Sequence, residues 1–311
     1  MNRAVTPLPK LLVSSVVRGS RQGDSHGGLY LVDMESGRFE QKLDWNSGAI
    51  DFEGRGADRG LRGIAVIGNE IFIAASDELF VFDPDFRIIA SYRNAYLKHC
   101  HEICEHNGKL WLTSTGFDSV LRFDLATRAF DFGIQLLKGD GRLNGMTFYP
   151  RKDGGPRPSN EYHVNNVHAA EDGIYISGRH LPALVRFAQS GISMVAPLPP
   201  GTHNAQPFRG GAIFNDTESD SLKWIVPRKQ VSIPVPRYEE ANLTNTDFDE
   251  SGLARQAFGR GLCPLSDTLI AAGSSPTTVS IYDLSKGRRI KSVNLTMDVR
   301  NAAHGLAVWP F

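Results

Sequence analysis

The sequence predicts an all-β fold: a six-bladed β-propeller of four-stranded antiparallel blades, spanning residues 1–311 as one domain. Three observations predict it. A hairpin unit of the form apolar-x-apolar-Asp, turn, strand recurs along the chain. A second strand pair precedes most copies. No stretch shows sustained 3.6-residue apolar periodicity, so helices are few.

The hairpin unit reads LYLVDMESGRFEQKL, LFVFDPDFRIIASY, VLRFDLATRAFDFGIQL, LVRFAQSGISMVAPL and VSIYDLSKGRRIKSVNL. Asp33, Asp83, Asp124 and Asp283 share one position, with Ala188 once in their place. The runs alternate apolar and polar residues and end at Gly, Pro, Asp or Ser, which marks half-buried strands joined by turns. The preceding pairs are RGIAVIGNEIFIAAS, HEICEHNGKLWLTST, NNVHAAEDGIYISG and RGLCPLSDTLIAAGS, with turns at Gly-Asn, Asn-Gly, Asp-Gly and Ser-Asp. Together they make four strands per repeat, as in a propeller blade. THNAQPFRGGAIFNDTESDSLKWIVP reads as a further copy with a longer hairpin. The terminal HGLAVWPF has no strands after it, and LLVSSVV near the N-terminus has no inner strand before it. Joining the two closes the ring with His304–Phe311 and removes an exposed sheet edge. Residues 139–162 and 227–258 read as long inter-blade loops, of the kind that carry function. GDGRLNG within the first of them could instead open a seventh blade.

Arg62, His101, Asn165 and Arg260 each stand nine positions before the next strand begins, at Ile71, Leu110, Ile174 and Leu269. The first strand of every blade lines the central channel, so these positions converge. The ring is Arg62, His101, Asn165, then His203 or Gln206, then Arg260 and His304. A second layer just upstream holds Gly60, His99 and His163, with Arg59 and Asn301 close by. Of nine histidines, five (99, 101, 163, 203 and 304) fall at or near these strand starts. Glu102 and Asn166 follow ring positions and alternate away from the channel in an ideal strand, although Glu102 is placed to orient His101.

Imidazole is a common ligand for zinc, iron and copper, and three of them from different blades leave an open coordination position. The expectation is a transition metal, zinc or iron first, on His101, His163, His203 and His304, with His99 in reserve. Arg62 and Arg260 are placed to hold an anionic group. His101, His304, Arg62 and Arg260 are the expected catalytic set; Arg59, Asn165, Gln206, Arg209 and Asn301 are the expected substrate contacts. His106, His168 and His180 read as ordinary turn or rim residues.

Balanced charge, with 34 basic and 34 acidic residues, argues against a nucleic-acid partner. No G-x-G-x-x-G, P-loop, G-x-S-x-G or H-E-x-x-H pattern is present, so no nucleotide cofactor is expected. The acidic turns EDG and DTESD do not match a calcium loop. Cys100, Cys104 and Cys263 are too few for a disulfide framework and read as packed thiols. The N-terminal apolar run is too short for a membrane span and lacks a cleavage site. These features predict a cytoplasmic protein with a small-molecule substrate, no membrane partner, and long loops available to a protein partner.

The motifs RGIAV, HEICEHNGKLWLTST, HVNNVH, THNAQP, RGLC and HGLAVWP resemble those of a bacterial propeller family classed as a domain of unknown function. The resemblance covers most of residues 59–311 in short motifs, and departs at HNAQP and at the long hairpin that follows it. More distantly the chain is similar to NHL, regucalcin/gluconolactonase and strictosidine-synthase-like propellers. That resemblance implies the six-blade plan; the lactonases' acidic and Asn calcium ligands are not matched. By analogy of fold, the peptidylglycine amidating lyase (a channel zinc on three His near an Arg) and the arylsulfate sulfotransferases (channel His and Arg) suit the ring. The expected function is therefore a metal-dependent lyase, hydrolase or oxygenase acting on a small anionic or carbonyl substrate. Two alternatives stand beside it: a metal-free binding propeller, and a metal-free His/Arg acid–base enzyme of sulfotransferase or lactonase type.

Overall fold

A computed structural model describes residues 7–21, 23–46, 60–139, 142–152, 154–247 and 255–311. Six antiparallel sheets stand around one axis. The first holds β1 (Lys10–Val17), β2 (Gly28–Asp33) and β3 (Phe39–Asp44). The second holds β4 (Ile64–Ile67), β5 (Glu70–Ala75), β6 (Glu78–Phe82) and β7 (Ile88–Arg93). The third holds β8 (Ile103–His106), β9 (Lys109–Ser114), β10 (Ser119–Asp124), β11 (Ala129–Gly139) and β12 (Arg142–Phe148). The fourth holds β13 (Val164–Ala170), β14 (Gly173–Gly178), β15 (Ala183–Ala188) and β16 (Gly191–Pro197). The fifth holds β17 (Thr202–Phe208), β18 (Gly211–Asp216), β19 (Ser221–Val226) and β20 (Lys229–Pro234). The sixth holds β21 (Phe258–Pro264), β22 (Leu269–Ser275), β23 (Thr278–Asp283) and β24 (Arg288–Asn294). The last strand, β25 (Asn301–Val308), pairs with β1 and completes the first blade. Closure by the C-terminus is as expected, with the strand beginning at Asn301 rather than His304.

The apolar runs feed the gaps between blades. In β5, Ile71 and Ile73 pack toward the first blade with Leu12 and Leu29, while Phe72 and Ala74 pack toward the third with Leu110 and Leu112. Alternate side chains point to opposite faces, and both faces are covered, so the strand is apolar throughout. Six such clusters fill the six gaps.

The recurring Asp is a turn device. Asp33 Oδ1 accepts from the Glu35 and Ser36 N–H at 3.0 Å, and Asp124 and Asp283 repeat the pattern. Each carboxylate closes the turn into the outermost hairpin of its blade.

Both long loops are shorter than the sequence indicated. GDGRLNG opens no seventh blade: β11 turns back into β12, with Gly133 opposite Phe148 and Gly139 opposite Arg142, as a fifth strand on the third blade. The stretch 227–258 begins with β20, the outer strand of the fifth blade, and Phe258 already belongs to β21.

Candidate functional site

The six inner strands share a defect at one height. Arg62 N–H donates to Ala74 O and Ala74 N–H donates to Gly63 O, so two residues face one. The N–H groups of His101 and Glu102 both donate to Thr113 Oγ1, at 2.8 and 3.0 Å. The register also shifts between Val164 and Asn166, between His203 and Gln206, between Arg260 and Leu262, and in β25 between Ala303 and Leu306. A bulge inserts an extra residue and re-aims the side chains beside it.

The ring residues sit at these bulges. Arg62, His101, Asn165, His203, Arg260 and His304 are all buried, none more than 6% exposed. The fifth blade contributes His203, because Gln206 lies past the bulge and hydrogen-bonds His168 instead. In three blades the next residue is glycine because the neighbouring inner strand leaves no room. A Cβ on Gly305 would lie 2.2 Å from Arg62 O, and one on Gly261 would lie 2.4 Å from His304 O. Gly63 meets the backbone of Glu102 and Ile103 in the same way.

The other three blades carry a polar residue there, and this changes the chemistry. Glu102 faces inward, contrary to simple alternation. Its Oε1 accepts from Asn204 Nδ2 at 2.7 Å and stands 3.7 Å from His304 Nδ1. Asn204 Oδ1 in turn accepts from the Gly261 N–H and from Asn215 Nδ2. Arg260 Nη1 donates to His304 Nε2 at 3.0 Å. A guanidinium can only donate, so Nε2 is unprotonated and the neutral ring carries its hydrogen on Nδ1, toward Glu102. The chain Arg260–His304–Glu102–Asn204 thus links four residues from four blades. The His101 ring lies 5.3 Å from His304 and 5.4 Å from His163, centre to centre.

Burial sets the protonation states. It drives the His101, His203 and His304 pKa values well below the ordinary imidazole range; the Arg260 charge pushes all three the same way, and the Arg62 charge does so at His101 and His304. His163 falls to about 3, by burial first and Arg260 second. Glu102 moves oppositely: burial raises it to about 8, against the pull of Asn204, Arg260 and Arg62. Near neutral pH the ring therefore holds uncharged imidazoles, a carboxyl that keeps its proton, and guanidiniums.

The expected metal ligands fall together only in part. His101 touches His163 and His304, but His304 Nε2 already accepts from Arg260. Among the described residues no group of three His, Cys, Asp or Glu side chains is arranged to hold a metal ion. His99 is half-buried beside the ring. Of the expected substrate contacts, Asn165 is in the ring. Asn301 sits at the start of β25 with its Oδ1 accepting from Thr277 Oγ1, a packing role. Arg209 lies beyond the opposite end of β17, about 20 Å along the strand from His203. There it covers Trp224 and donates to Asp267 O, so it is no channel residue. Arg59 lies outside the described residues. The three thiols are free, and burial raises Cys100 to about 12 and Cys263 to about 11, as inert packed thiols require.

No family model matches the chain, and no curated protein does. Among solved structures, the nidogen/laminin complex aligns with a TM-score of 0.58 at 9% identity, over 96% of this chain and 97% of that one. The likeness is one of fold. Apo AztD from Citrobacter koseri aligns at a TM-score of 0.48 and 11% identity, over 93% of this chain and 83% of its own. Catalytically inactive virginiamycin B lyase from Staphylococcus aureus, with quinupristin, aligns at 0.48 and 12%, over 85% and 79%.

Proposed function

We propose that the protein is a lyase or hydrolase that works at the channel ring on a small anionic substrate, by acid–base chemistry that its own side chains supply. One observation carries the reading: a buried carboxyl, raised to about 8, stands beside a neutral imidazole that a guanidinium holds in one tautomer. Arg62 and Arg260 hold the anion. Glu102 gives its proton to the leaving oxygen, and the neutral His101 imidazole takes a proton from water or from the substrate. His304 and Asn204 position Glu102. Groups whose environments push their pKa values apart are the pattern of a working acid and base. The free thiols fit a reducing compartment, and we place the protein in the cytoplasm on that ground.

A metal-dependent reading, with zinc or iron on His101, His163, His203 and His304, draws on two buried imidazole nitrogens, His101 Nδ1 and His203 Nε2. Neither has a hydrogen-bond partner among the described residues. It has less support because Arg260 engages His304 Nε2.

Assays on aryl sulfates, aryl phosphates and lactones, run with and without chelator, separate the two. Chelator-resistant turnover that falls about 10²- to 10⁴-fold in Glu102→Gln is the expected result. Turnover abolished by chelator and restored by zinc or iron would establish the metal reading instead. Turnover of none of them, with loss of a protein partner on removal of residues 235–247, would make the protein a binding propeller.

A further inference from the structure

We infer that the ligand of the ring is a small hydroxylated anion: one molecule that carries both a carboxylate or phosphate and hydroxyl groups. The inference rests on the anion-binding reading above and specifies its substrate class.

Two buried acceptors motivate it. Asn165 Nδ2 donates to Thr202 O at 2.8 Å. A carbonyl only accepts, so this bond fixes the amide, and the remaining atom, Oδ1, is an acceptor. Oδ1 has no hydrogen-bond partner among the described residues, and Asn165 is 1% exposed. His203 repeats the arrangement. Its Nδ1 lies 3.0 Å from Gly201 O and therefore carries the hydrogen. Nε2 is left as a lone pair, again with no partner among the described residues, on a side chain 2% exposed. Successive carbonyls where the chain enters β17, Gly201 and Thr202, thus set both acceptors. His203 and Arg260 both pack against the Phe258 ring, 5.4 and 4.8 Å from its centre, and Asn165 is tied to Thr202 beside His203.

The ring therefore offers two kinds of surface. Arg62 and Arg260 supply only donors, which suit an oxyanion. Asn165 Oδ1 and His203 Nε2 supply only lone pairs, and a bare sulfate or carboxylate would bring its own lone pairs against them. A ligand with hydroxyls beside its charge satisfies both. A site built to receive a hydroxyl rejects the analogue that lacks it more strongly than a merely apolar pocket does.

Calorimetric titration of the full chain with two matched pairs tests this: tartrate against succinate, and glycerol 3-phosphate against propyl phosphate. The hydroxylated member of at least one pair should bind about tenfold tighter or better. The pair that shows the gap tells carboxylate from phosphate. Asn165→Leu and His203→Leu should collapse the gap while leaving the affinity of the deoxy probe in place. If either variant fails to fold, the wild-type comparison stands alone. Equal affinities within both pairs would mean that water serves the two acceptors, and would overturn the inference while leaving the anion site standing. Binding of none of the four probes would overturn the anion reading itself, and the inference with it.

Discussion

Burial pushes the Glu102 carboxyl up to about 8, while Asn204 and the two guanidiniums pull it down. Desolvation wins because, among the described residues, one hydrogen bond from a neutral amide reaches Oε1. The ring therefore contains an acid at neutral pH. Loss of that proton sets the alkaline limb: kcat/KM should fall as pH rises through about 8. On the acid side the neutral histidines hold the profile flat until they protonate. A profile that instead rises through pH 8 would contradict this assignment. Glu102 was legible in the sequence as a polar residue next to a ring position. Its inward direction was not, because period-2 alternation places it on the other face.

At the scale of the strand, the bulge accounts for that difference. Thr113 Oγ1 receives two successive N–H groups, from His101 and Glu102, and so holds both residues at the channel. Thr113→Val removes the acceptor and strands two N–H groups beside a buried ring. It should destabilise the fold by about 1–3 kcal/mol, measured by chemical denaturation. It should also lower turnover, and Thr113→Ser should restore both. Unchanged stability and turnover in the valine variant would show that the bulge is held by other contacts. The sequence does carry a trace of the device. The ring positions read Arg-Gly, His-Glu, Asn-Asn, His-Asn, Arg-Gly and His-Gly, so the second member is always glycine or polar. A residue that alternated to the outer face of an inner strand would meet the apolar gap between blades and would be apolar.

Across the whole molecule, six apolar clusters tie each blade to the next, and β25 locks the last to the first. Ser14 on β1 adds a latch: its Oγ donates to Arg62 O at 2.5 Å and accepts from the Gly305 N–H at 2.8 Å. A chain ending at Thr296 should lose cooperative thermal unfolding, because the first blade is left without its inner strand. A sharp transition near that of the full chain would argue against closure by β25. Blade number and this closure were readable because strand spacing and turn residues are local. The fifth strand on the third blade was not, since RLNGMTF reads equally well as the start of a new blade.

The ring also sets how stability depends on pH. His101, His163, His203 and His304 all have folded pKa values below the ordinary 6.5. Their contribution is present above 6.5 and is lost as pH falls, at up to about 1.4 kcal/mol per pH unit for each. Glu102 acts in the reverse direction. Its folded pKa lies above the ordinary 4.5, so its contribution is full below 4.5 and is lost as pH rises through about 8. Denaturation at a series of pH values should show a steep acid limb that flattens in His101→Phe. It should also show a shallow alkaline limb that disappears in Glu102→Gln.

The protonation state of Glu102 is open to direct observation without knowledge of the substrate. The infrared difference spectrum between wild type and Glu102→Gln isolates one carboxyl. A protonated-carboxyl band should be present at neutral pH and lost with a midpoint near 8. A midpoint near the ordinary 4.5 would contradict it, and would leave the ring with a carboxylate where the proposed chemistry needs an acid.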